Sequence, residues 1–548
     1  MHTHHLLCLL ALLIVEAACD APLSYNFTLY NSGAYGYAPN QTYRSSNITS
    51  PVWQINIWDQ EAVNTTDYLF MALPEHWKAS GDPLGNSNYG PYIFSNKDFS
   101  LVYADPTWDL AKSEGVQEYN DKPYMVFFGG ELVDSGHGHG KCYLVNTKYE
   151  IEYTISAVGT PQDVDLHECL LTTNGTALII SYYNMPYDLT PLDGPVNGSL
   201  TDCLFQEVDI ATGELLFEWR AIDHYLISFS TTLYADNNHT GLDWFHMNSV
   251  QKTNEGNYLI SSLALHMISY IDGHTGSVIW SLGGAGNNFT EPLNDGATIL
   301  YSHHARFRDA ALTELSLFDN TVLTLDVTCM TNCSKGRVVR IDQEKLTVAI
   351  TEQYFHPQSI QAGPEGSFDL TSNGNVLVGW GYTPSITEHN ATTRQCVLDV
   401  QFGIFYVGPD NYRAFKAPWK GEPTWDPSIA SNPASNGTEG AMVWVSWNGA
   451  TDVEEWILLS AASPDTDNWN SSQVVSRVSK DGFETGIPVD ETVMYARVSG
   501  LNSAGQILGS TAIVEIETGL QYVSKGDIEA VDRIDMTEKP WGSSDIKW

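Results

Sequence analysis

The chain has 548 residues, of which 66 are acidic and 26 are basic, so its formal net charge is −40. Because 43% of the residues are hydrophobic and 11% are aromatic, it has enough apolar side chains for sizeable cores and is not an acidic disordered protein. So negative a chain repels phosphate groups, and the sequence contains no basic run to offset that charge. The composition therefore argues against binding to nucleic acid or to an anionic membrane surface.

The first segment is typical of a secretory signal. An apolar run over residues 6–15 is followed by the small residues Ala17 and Ala18 and is too short to cross a bilayer. We therefore predict a signal peptide over residues 1–19, with a buried first helix as the alternative. The protein is then expected to be secreted, in the extracellular space or the lumen of the secretory pathway, without a membrane anchor.

Twelve Asn-X-Ser/Thr sequons follow, and their spread along the chain fits a glycosylated surface. The predicted glycosylation sites are Asn26, Asn40, Asn47, Asn64, Asn174, Asn197, Asn238, Asn288, Asn332, Asn390, Asn436 and Asn470.

Six cysteines lie beyond the predicted signal peptide, and an even number in an oxidising compartment favours disulfides. These are Cys142, Cys169, Cys203, Cys329, Cys333 and Cys396. Six cysteines allow fifteen pairings, although Cys329 and Cys333 are close enough for a small loop. No histidine or second cysteine pair stands near them at zinc-ligand spacing, and no EF-hand-like run occurs, so we expect no metal and no cofactor.

The central part of the chain has the pattern of an all-β fold, since short β-branched and aromatic runs are separated by Gly, Asn and Asp. Turn-plus-strand segments recur at residues 174–180, 255–261 and 373–379, and hairpins with polar tips recur at 143–153, 208–219, 270–280 and 339–350. Asp-Thr-Gly tips favour tight turns, because Asp hydrogen-bonds locally and Gly adopts positive φ. The spacing predicts the blades of a β-propeller, with an array of sandwiches as the alternative.

The C-terminal part has a different pattern. Alternating strands over residues 441–516 predict a small β-sandwich, which is entered through a Pro/Ser/Asn-rich stretch at 427–437. The predicted organisation is a signal peptide at 1–19, a propeller domain at 20–430, a sandwich-like module at 438–517 and an acidic tail at 518–548.

Several longer motifs stand in a fixed order along the chain. They begin at Asp165 (Asp-Leu-His-Glu), Phe205, Asp243 (Asp-Trp-Phe-His-Met-Asn-Ser-Val), Ile279, His303 (His-His-Ala-Arg-Phe), Leu317, Gly374, Val445 and Gly482. Together they resemble the fungal branch of the arylsulfotransferase-like (ASST) family over roughly residues 120–515. The resemblance implies a six-bladed β-propeller whose active site lies in the central channel.

The resemblance also implies a chemistry, in which a sulfuryl group moves from one phenol ester to another phenol without a nucleotide donor. By motif, His303 would be the nucleophile that forms a sulfohistidine, with His246 and His167 as hydrogen-bond donors or acid–base partners. The chemistry is physically reasonable, because a neutral imidazole can attack sulfur and preplaced donors or cations stabilise the charge that develops.

Further residues are assigned by their positions in these motifs. His304 stands where the family commonly has Asp, so it shares or replaces the role of His303 or lines the channel. Arg306 and Trp380 are the other predicted substrate-binding residues, with core packing as the alternative for Trp380. The family's sulfonate-binding Arg is replaced here by Leu263, and Arg306 and Arg308 are the candidates to replace its charge.

Three functions remain open at this point. The first is an enzyme that transfers sulfuryl groups between phenolic or other aromatic small molecules. The second is a propeller enzyme of fungal secondary metabolism that catalyses a non-sulfating tailoring step such as cyclisation, isomerisation or elimination. The third is a non-catalytic glycoprotein that binds a ligand. In each case we expect a monomer whose partner is an aromatic small molecule.

Overall fold

A computed structural model describes residues 20, 23–73, 90–108, 110–133, 136–234, 240–297, 301–321, 329, 333–432, 441–464, 472–490 and 492–522. The predicted signal peptide, the predicted tail after residue 522 and the sequons at Asn238, Asn332, Asn436 and Asn470 lie outside these residues.

The described chain is all-β, as predicted. It begins with β1 (Leu23–Ser24), the short helix α1 (Phe27–Asn31), β2 (Asn40–Thr42), β3 (Thr49–Pro51) and β4 (Trp53–Trp58). The side chain of Asn26 caps α1 by accepting a hydrogen bond of 3.0 Å from the backbone N–H of Leu29. Three 3₁₀ turns occur at Thr190–Leu192, Ala221–Asp223 and Ile227–Phe229.

Six sheets then follow in chain order, each built mainly from consecutive antiparallel strands. Sheet 1 contains β5 (Tyr68–Leu73), β6 (Gly90–Ser95) and β7 (Leu101–Ala104). Sheet 2 contains β8 (Ala111–Tyr119), β9 (Lys122–Leu132), β10 (Gly138–Val145) and β11 (Ile151–Ile155). Sheet 3 contains β12 (Cys169–Leu171), β13 (Thr176–Tyr187), β14 (Gly198–Asp209) and β15 (Leu215–Arg220), and β16 (Leu242–Asp243) runs parallel to β14.

Sheet 4 contains β17 (Met247–Lys252), β18 (Tyr258–Ser262), β19 (Met267–Ile271) and β20 (Val278–Leu282). Sheet 5 contains β21 (Ser302–Phe307), β22 (Glu314–Asp319), β23 (Lys335–Asp342) and β24 (Thr347–Phe355). Sheet 6 contains β25 (Ser367–Leu370), β26 (Val376–Gly379), β27 (Ser385–His389) and β28 (Cys396–Gln401), and β4 and β1 extend it beyond β28. The late strand β29 (Phe415–Ala417) pairs with β5 and completes sheet 1.

The four predicted hairpins form within these sheets. At the tip between β19 and β20, the Asp272 carboxylate accepts hydrogen bonds from the backbone N–H groups of His274 and Thr275 at 2.9 and 2.7 Å. Gly276 follows at φ +74°, a conformation that favours glycine. The local turn chemistry of the sequence therefore determines where these strands reverse direction.

Six hydrophobic cores lie between the six sheets, one for each neighbouring pair. Sheet 6 also packs against sheet 1, because Leu398 and Val400 share a core with Leu69 and Met71. The faces of these sheets are therefore buried on both sides, which explains strands that are apolar along most of their length.

The first strands of sheets 2, 4 and 5 share an irregularity that positions the site. The pairing register shifts between Lys112 and Gly115, between Met247 and Ser249, and between His303 and Arg306. Residues Ser113, His246 and His304 adopt positive φ beside these shifts. Such β-bulges redirect side chains at the ends of strands.

Two more sheets form the C-terminal part. One contains β30 (Ser428–Asn432), β31 (Ala441–Ser446) and β34 (Glu484–Val489). The other contains β32 (Glu455–Ala461), β33 (Gln473–Ser479), β35 (Tyr495–Leu501), β36 (Ile507–Ser510), β37 (Ile513–Glu515) and β38 (Gln521–Tyr522). They share a core that includes Val443, Trp456 and Val498. Strand β30 lies inside the predicted linker, and β38 lies inside the predicted tail.

Among the described cysteines, four form two disulfides, and Cys203 and Cys396 are free. The Cys142–Cys169 bond connects β10 of sheet 2 to β12 of sheet 3. The Cys329–Cys333 bond closes the small loop that the sequence suggested. Within the described ranges, no helix has the length and apolar character needed to cross a membrane.

Candidate active site

The three histidines predicted from motifs lie near the starts of the first strands of sheets 3, 4 and 5. The ring centroids of His167 and His246 are 4.8 Å apart. The ring of Tyr412 lies 5.4 Å from that of His167 and 6.2 Å from that of His303. The fold therefore gathers residues that are far apart in sequence into one cluster of imidazoles around a buried tyrosine.

His303 is held in one tautomer. Its Nδ1 lies 2.7 Å from Oδ1 of Asn320, whose side-chain NH₂ donates to the backbone carbonyls of Ala362 and Glu365 at 3.0 and 2.8 Å. Because the amide already uses its N–H groups as donors, its oxygen must accept, so Nδ1 of His303 carries the proton and Nε2 keeps a lone pair. Burial lowers the pKa of His303 well below its ordinary value, so the ring is neutral.

His167 is oriented by a carboxylate instead. Its Nδ1 lies 2.5 Å from Oδ1 of Asp165, and the same carboxylate accepts the backbone N–H groups of His167 and Gly138 at 2.9 and 2.7 Å. Burial lowers the pKa of His167 to about 4, although Asp165 opposes this shift. His167 is therefore a neutral imidazole that presents Nε2 as a proton acceptor.

His246 shares a carboxylate with a histidine that the motifs did not indicate. Nδ1 of His246 hydrogen-bonds to Oδ2 of Asp243, and Nε2 of His137 lies 3.3 Å from the same oxygen. Burial alone would raise the pKa of Asp243, but His246 and His137 outweigh it and lower that pKa. The glycine-flanked run Gly136-His-Gly-His-Gly is the one sequence signal that could have drawn attention to His137.

A buried ion-pair network lies next to the cluster. The Glu168 carboxylate is bound by Nη1 of Arg413 at 2.7 Å and by Nη2 of Arg306 at 2.6 Å. Nη2 of Arg413 also donates to the backbone carbonyls of His167 and Asn248, both at 2.8 Å. Sequence reasoning missed Arg413, which stands outside the motifs. This residue brings a guanidinium against the loop that carries His167.

The other arginine suggested by sequence lies elsewhere, since Arg308 pairs with Glu352 at 3.3 Å. Leu263 is buried, and its backbone N–H donates to the carbonyl of His246 at 2.9 Å. The position of the replaced family arginine is therefore directly beside His246.

Lys112 adds another buried cation. Its Nζ lies 3.1 Å from Glu365 and 3.2 Å from Asp410, and 5.8 Å from the centroid of the Tyr412 ring. Burial alone would lower the pKa of Lys112, but the two carboxylates together raise it, so the amine stays charged. No sequence pattern indicates this network, because its three charged residues come from distant parts of the chain.

A cavity of about 400 Å³ lies against the Arg–Glu network. Its lining includes the predicted residues His304 and Arg306, together with Glu168, Asp369, Phe368 and Arg413. Nδ1 of His304 accepts the backbone N–H of Phe368 at 3.2 Å, so the proton of this neutral ring is on Nε2. Burial raises the pKa of Asp369 to about 6. The cavity thus combines a weakly acidic carboxyl, an imidazole donor, guanidinium groups and aromatic surface.

The two adjacent histidines have different surroundings. His303 contacts Asn320 and the Tyr412 ring, whereas His304 lines the cavity and packs against Phe415 with ring centroids 5.7 Å apart. The bulge in β21 and the positive φ of His304 account for this separation.

Trp380, predicted to bind substrate, lies in the core between sheets 5 and 6. Its indole N–H donates to Oγ1 of Thr387 at 2.9 Å, and its ring packs edge-on against Phe318 and His356. It is fully buried there and is not part of the cavity lining.

These features define the class of protein: an all-β protein in which imidazoles are oriented by carboxylates and an amide beside buried guanidinium groups. Such a set can supply a nucleophile, a proton acceptor and cations in one place. Residues 115–403, more than half of the chain, match the model of the family described as arylsulfotransferase (ASST), and the chain belongs to that family.

No curated protein matches the chain in sequence. Among solved structures, a Bacteroides caccae protein of unknown function is similar at 11% identity and a TM-score of 0.34, covering 64% of this chain and 98% of that one. A putative 6-phosphogluconolactonase from Bacteroides fragilis is similar at 13% identity and a TM-score of 0.30, covering 66% of this chain and 100% of that one. Virginiamycin B lyase from Staphylococcus aureus is similar at 10% identity and a TM-score of 0.26, covering 70% of this chain and 90% of that one. These similarities are low and assign no function to this chain.

Proposed function

We propose that this protein is an arylsulfotransferase-like enzyme that moves a sulfuryl group between aromatic molecules through His303. The hydrogen bond from Nδ1 of His303 to Asn320 carries this proposal, because it leaves a neutral ring with its lone pair on Nε2. A nucleophile that is neutral over the physiological pH range needs no base to activate it.

The reaction would proceed in two displacements. Nε2 of His303 attacks the sulfur of an aryl sulfate, the bond from sulfur to the aryl oxygen breaks, and a phenolate departs. The acceptor phenol then gives its proton to Nε2 of His167 as its oxygen attacks sulfur, and the N–S bond to His303 breaks. His167 then releases that proton to solvent, from which the phenolate of the first displacement is protonated, and His246 is the neighbouring acid–base partner.

The charge that develops on the sulfonate requires cations nearby. The family arginine is absent at Leu263, but the guanidinium of Arg413 contacts the backbone of His167 and the amine of Lys112 lies 5.8 Å from the centroid of the Tyr412 ring. Both are already paired with carboxylates, which fixes their positions but reduces the net charge that they offer.

We further propose that sheets 1–6 are the blades of a six-bladed β-propeller over residues 20–430, followed by a sandwich-like module. Six sheets with six cores between them, including one between sheets 6 and 1, support this arrangement. Completion of sheet 1 by the late strand β29 supports it too, since pairing of an early strand with a late strand joins the last blade of such a fold to the first.

Export through the secretory pathway is also part of the proposal. Two disulfides support it, and so does the exposure of the described sequons, none of which has a buried asparagine. Expression in a eukaryotic host should give glycosylated protein in the medium, whose mass falls on treatment with an N-glycosidase. Retention of unglycosylated protein inside the cells would contradict this part.

The transfer reaction is tested with purified protein, an aryl sulfate donor and a phenolic acceptor. We expect transfer, and a sulfuryl group on the peptide that contains His303 after brief reaction with donor alone. His303→Ala should lower kcat by at least about 10⁴-fold. His224→Ala is the matched control, because His224 stacks on Trp219 away from the cluster and should retain activity. Wild-type protein that neither transfers nor becomes labelled would refute the proposal.

One observation favours a second function. The cavity that holds His304 and Asp369 is lined by neither His303 nor His167, and the pKa of Asp369, raised to about 6 by burial, suits general acid–base work. A non-sulfating isomerisation, cyclisation or elimination of a small aromatic molecule would use this pair. The result to look for is a product whose formation is abolished by Asp369→Asn and unaffected by His303→Ala.

A further inference from the structure

Three metal-ligating atoms converge beside the imidazole cluster. His137, Asp243 and His246 each offer one ligand atom, and these three atoms lie within 4.8 Å of one another. Nε2 of His137 is 3.3 Å from Oδ2 of Asp243, and Nδ1 of His246 hydrogen-bonds to the same oxygen. They come from three separate segments: the start of β10, the strand β16 and the bulge before β17. Only the packing of sheets 2, 3 and 4 brings them together.

The carboxylate at the centre of this group is incompletely satisfied. Oδ2 of Asp243 faces both imidazoles, whereas Oδ1 of Asp243 is buried and has no hydrogen-bond partner among the described residues. A buried oxygen without a partner costs about 1–3 kcal/mol. A cation bound through both carboxylate oxygens of Asp243 would give Oδ1 a partner and would accept lone pairs from both rings.

The ligand set indicates which kind of cation fits. Two imidazole nitrogens and one carboxylate oxygen form a mixed nitrogen–oxygen ligand set. Such a set favours Zn²⁺ over Ca²⁺ and Mg²⁺, which prefer oxygen ligands. The ring of His137 is held in place by stacking on Tyr182, with centroids 4.1 Å apart and an angle of 28° between the planes. Such support of a ligand ring is typical of metal sites.

We propose that His137, Asp243 and His246 bind one Zn²⁺ ion, with a fourth coordination position left for water or substrate. This departs from the expectation, drawn from the cysteine spacing, that the protein holds no metal. The ring of His167 lies 4.8 Å from His246 and 5.9 Å from His137, so the ion would be a neighbour of the proposed transfer site.

The proposal also accounts for the residue at position 263. The backbone N–H of Leu263 bonds to the carbonyl of His246, so a Zn²⁺ ion on this imidazole would place a fixed positive charge close to where the family has arginine. Coordination through Nδ1 would in addition keep the proton of His246 on Nε2, as a donor toward the leaving oxygen. This role rests on the proposed function, whereas metal binding itself does not.

Binding is tested on the purified full-length protein after treatment with a chelator. Titration with Zn²⁺ alone should show one tight site per chain by calorimetry and by elemental analysis. Co²⁺ in its place should give the visible absorption of a site with nitrogen and oxygen ligands, and Ca²⁺ should bind far more weakly. Absence of a stoichiometric Zn²⁺ site would overturn the proposal and leave a hydrogen-bonded triad only.

Variants identify the ligands. His137→Ala and the near-isosteric Asp243→Asn should each weaken Zn²⁺ binding by at least about 100-fold, because each removes a direct ligand. The matched control is His139→Ala: His139 is in the same glycine-flanked run but is partly exposed and lies 3.8 Å from Glu131. Near-UV circular dichroism checks the folding of each variant. If the His139→Ala variant lost Zn²⁺ binding, or if the Asp243→Asn variant kept it, the assignment of the ligands would be contradicted.

One further variant separates this inference from the proposed function. His303→Ala should keep Zn²⁺ while losing transfer. Zn²⁺ binding in a wild-type protein that performs no transfer would refute the function and leave the metal site standing. Full transfer by metal-free protein would refute the role of the ion.

Discussion

Nδ1 of His303 lies 2.7 Å from Oδ1 of Asn320, and this neutral acceptor distinguishes His303 from the other imidazoles of the cluster. The Nδ1 atoms of His167 and His246 face carboxylates instead. Asp165 partly opposes the lowering of the pKa of His167 by burial, whereas the amide oxygen of Asn320 fixes the tautomer of His303 without adding a charge. His303 is therefore placed to attack as a neutral nucleophile, and His167 is placed to accept a proton.

Asn320→Ala tests this relationship. The variant loses the acceptor that fixes the tautomer of His303, so we expect kcat for sulfuryl transfer to fall about 10–100-fold, with a smaller change in KM. The carbonyls of Ala362 and Glu365 lose their donors, so the free energy of unfolding should fall by about 1–3 kcal/mol. Steady-state kinetics and urea denaturation measure the two effects.

Asn375→Ala is the matched control for stability. Asn375 is likewise buried and donates to the carbonyl of Ala62 at 2.9 Å and to Glu388 at 2.7 Å. The Asn375→Ala variant should lose about as much free energy of unfolding as Asn320→Ala and should keep the wild-type kcat. An Asn320→Ala enzyme with unchanged kcat would show that the tautomer of His303 does not matter.

The pH dependence of stability follows from the buried neutral histidines. Burial lowers the pKa of His167 to about 4 and that of His356 to about 3, below the unfolded value of about 6.5. As pH falls below about 6.5, these two side chains take up protons in the unfolded chain but not in the folded protein, so their contribution to the free energy of unfolding should decrease from pH 6.5 to 4. Asp369 and Asp399, whose pKa values burial raises to about 6, contribute in the opposite direction.

His356→Phe isolates one contribution to this slope, because it keeps an aromatic ring against Trp380 and removes a titrating group. Urea denaturation over this pH range should give a shallower slope for the variant than for the wild type. The control, His139→Phe, replaces a partly exposed ring and should leave the slope unchanged. Equal slopes in all three proteins would contradict the account.

The sequence predicted what local chemistry determines. The hairpin tip at Asp272 and Gly276 depends on hydrogen bonds within five residues, and it formed where expected. The motif histidines His167 and His246 lie side by side, and His167 and His303 both pack against Tyr412, whereas their catalytic roles stay a prediction.

The rest of the site depends on distant packing. Arg413 and His137 reach the cluster only because sheets 1, 2, 3 and 4 pack side by side, and no spacing along the chain encodes those contacts. Trp380 is the opposite case: it belongs to a family motif, but it packs in the core between sheets 5 and 6 and does not line the cavity. Sequence patterns indicate which side chains are special, but the burial of sheet faces decides where they lie.

The Cys142–Cys169 disulfide should matter more for stability than Cys329–Cys333. The two bonds span sequence separations of 27 and 4 residues, so chain entropy predicts about 3–4 kcal/mol for the first and about 2 kcal/mol for the second. Cys169 also follows the loop that carries His167. We expect Cys142→Ala/Cys169→Ala to lose both stability and transfer, measured by thermal unfolding and kinetics.

The double variant Cys329→Ala/Cys333→Ala is the matched comparison for that experiment and should retain transfer. Equal destabilisation by the two double variants would show that loop length does not govern these bonds.

Leu263→Arg restores the family's cation beside His246. A fixed guanidinium near the developing sulfonate charge should raise kcat for transfer at least about tenfold in metal-free protein. Leu263→Met is the control, since it retains volume and adds no charge. Kinetics with an aryl sulfate donor after chelation measure the effect. A fall in kcat with folding intact would indicate that a positive charge at this position does not assist the reaction.

Arg413 should be the most sensitive residue of the ion-pair network. Arg413→Met removes one partner of a buried carboxylate together with two donors to backbone carbonyls, so the free energy of unfolding should fall by about 3–5 kcal/mol. Arg413→Lys keeps the charge but cannot make all of these contacts, so it should lose part of that stability and most of the transfer activity.

Glu168→Gln in the Arg413→Met background tests whether the loss arises from the uncompensated carboxylate. Because Gln carries no charge, the double variant should be more stable than the sum of the two single effects predicts. Arg340→Met is the surface control, since its pairing with Glu314 is exposed and its removal should leave unfolding nearly unchanged. Strict additivity of Glu168→Gln and Arg413→Met in urea denaturation would show that the buried pair is not coupled, and Arg413 would then act through its backbone contacts alone.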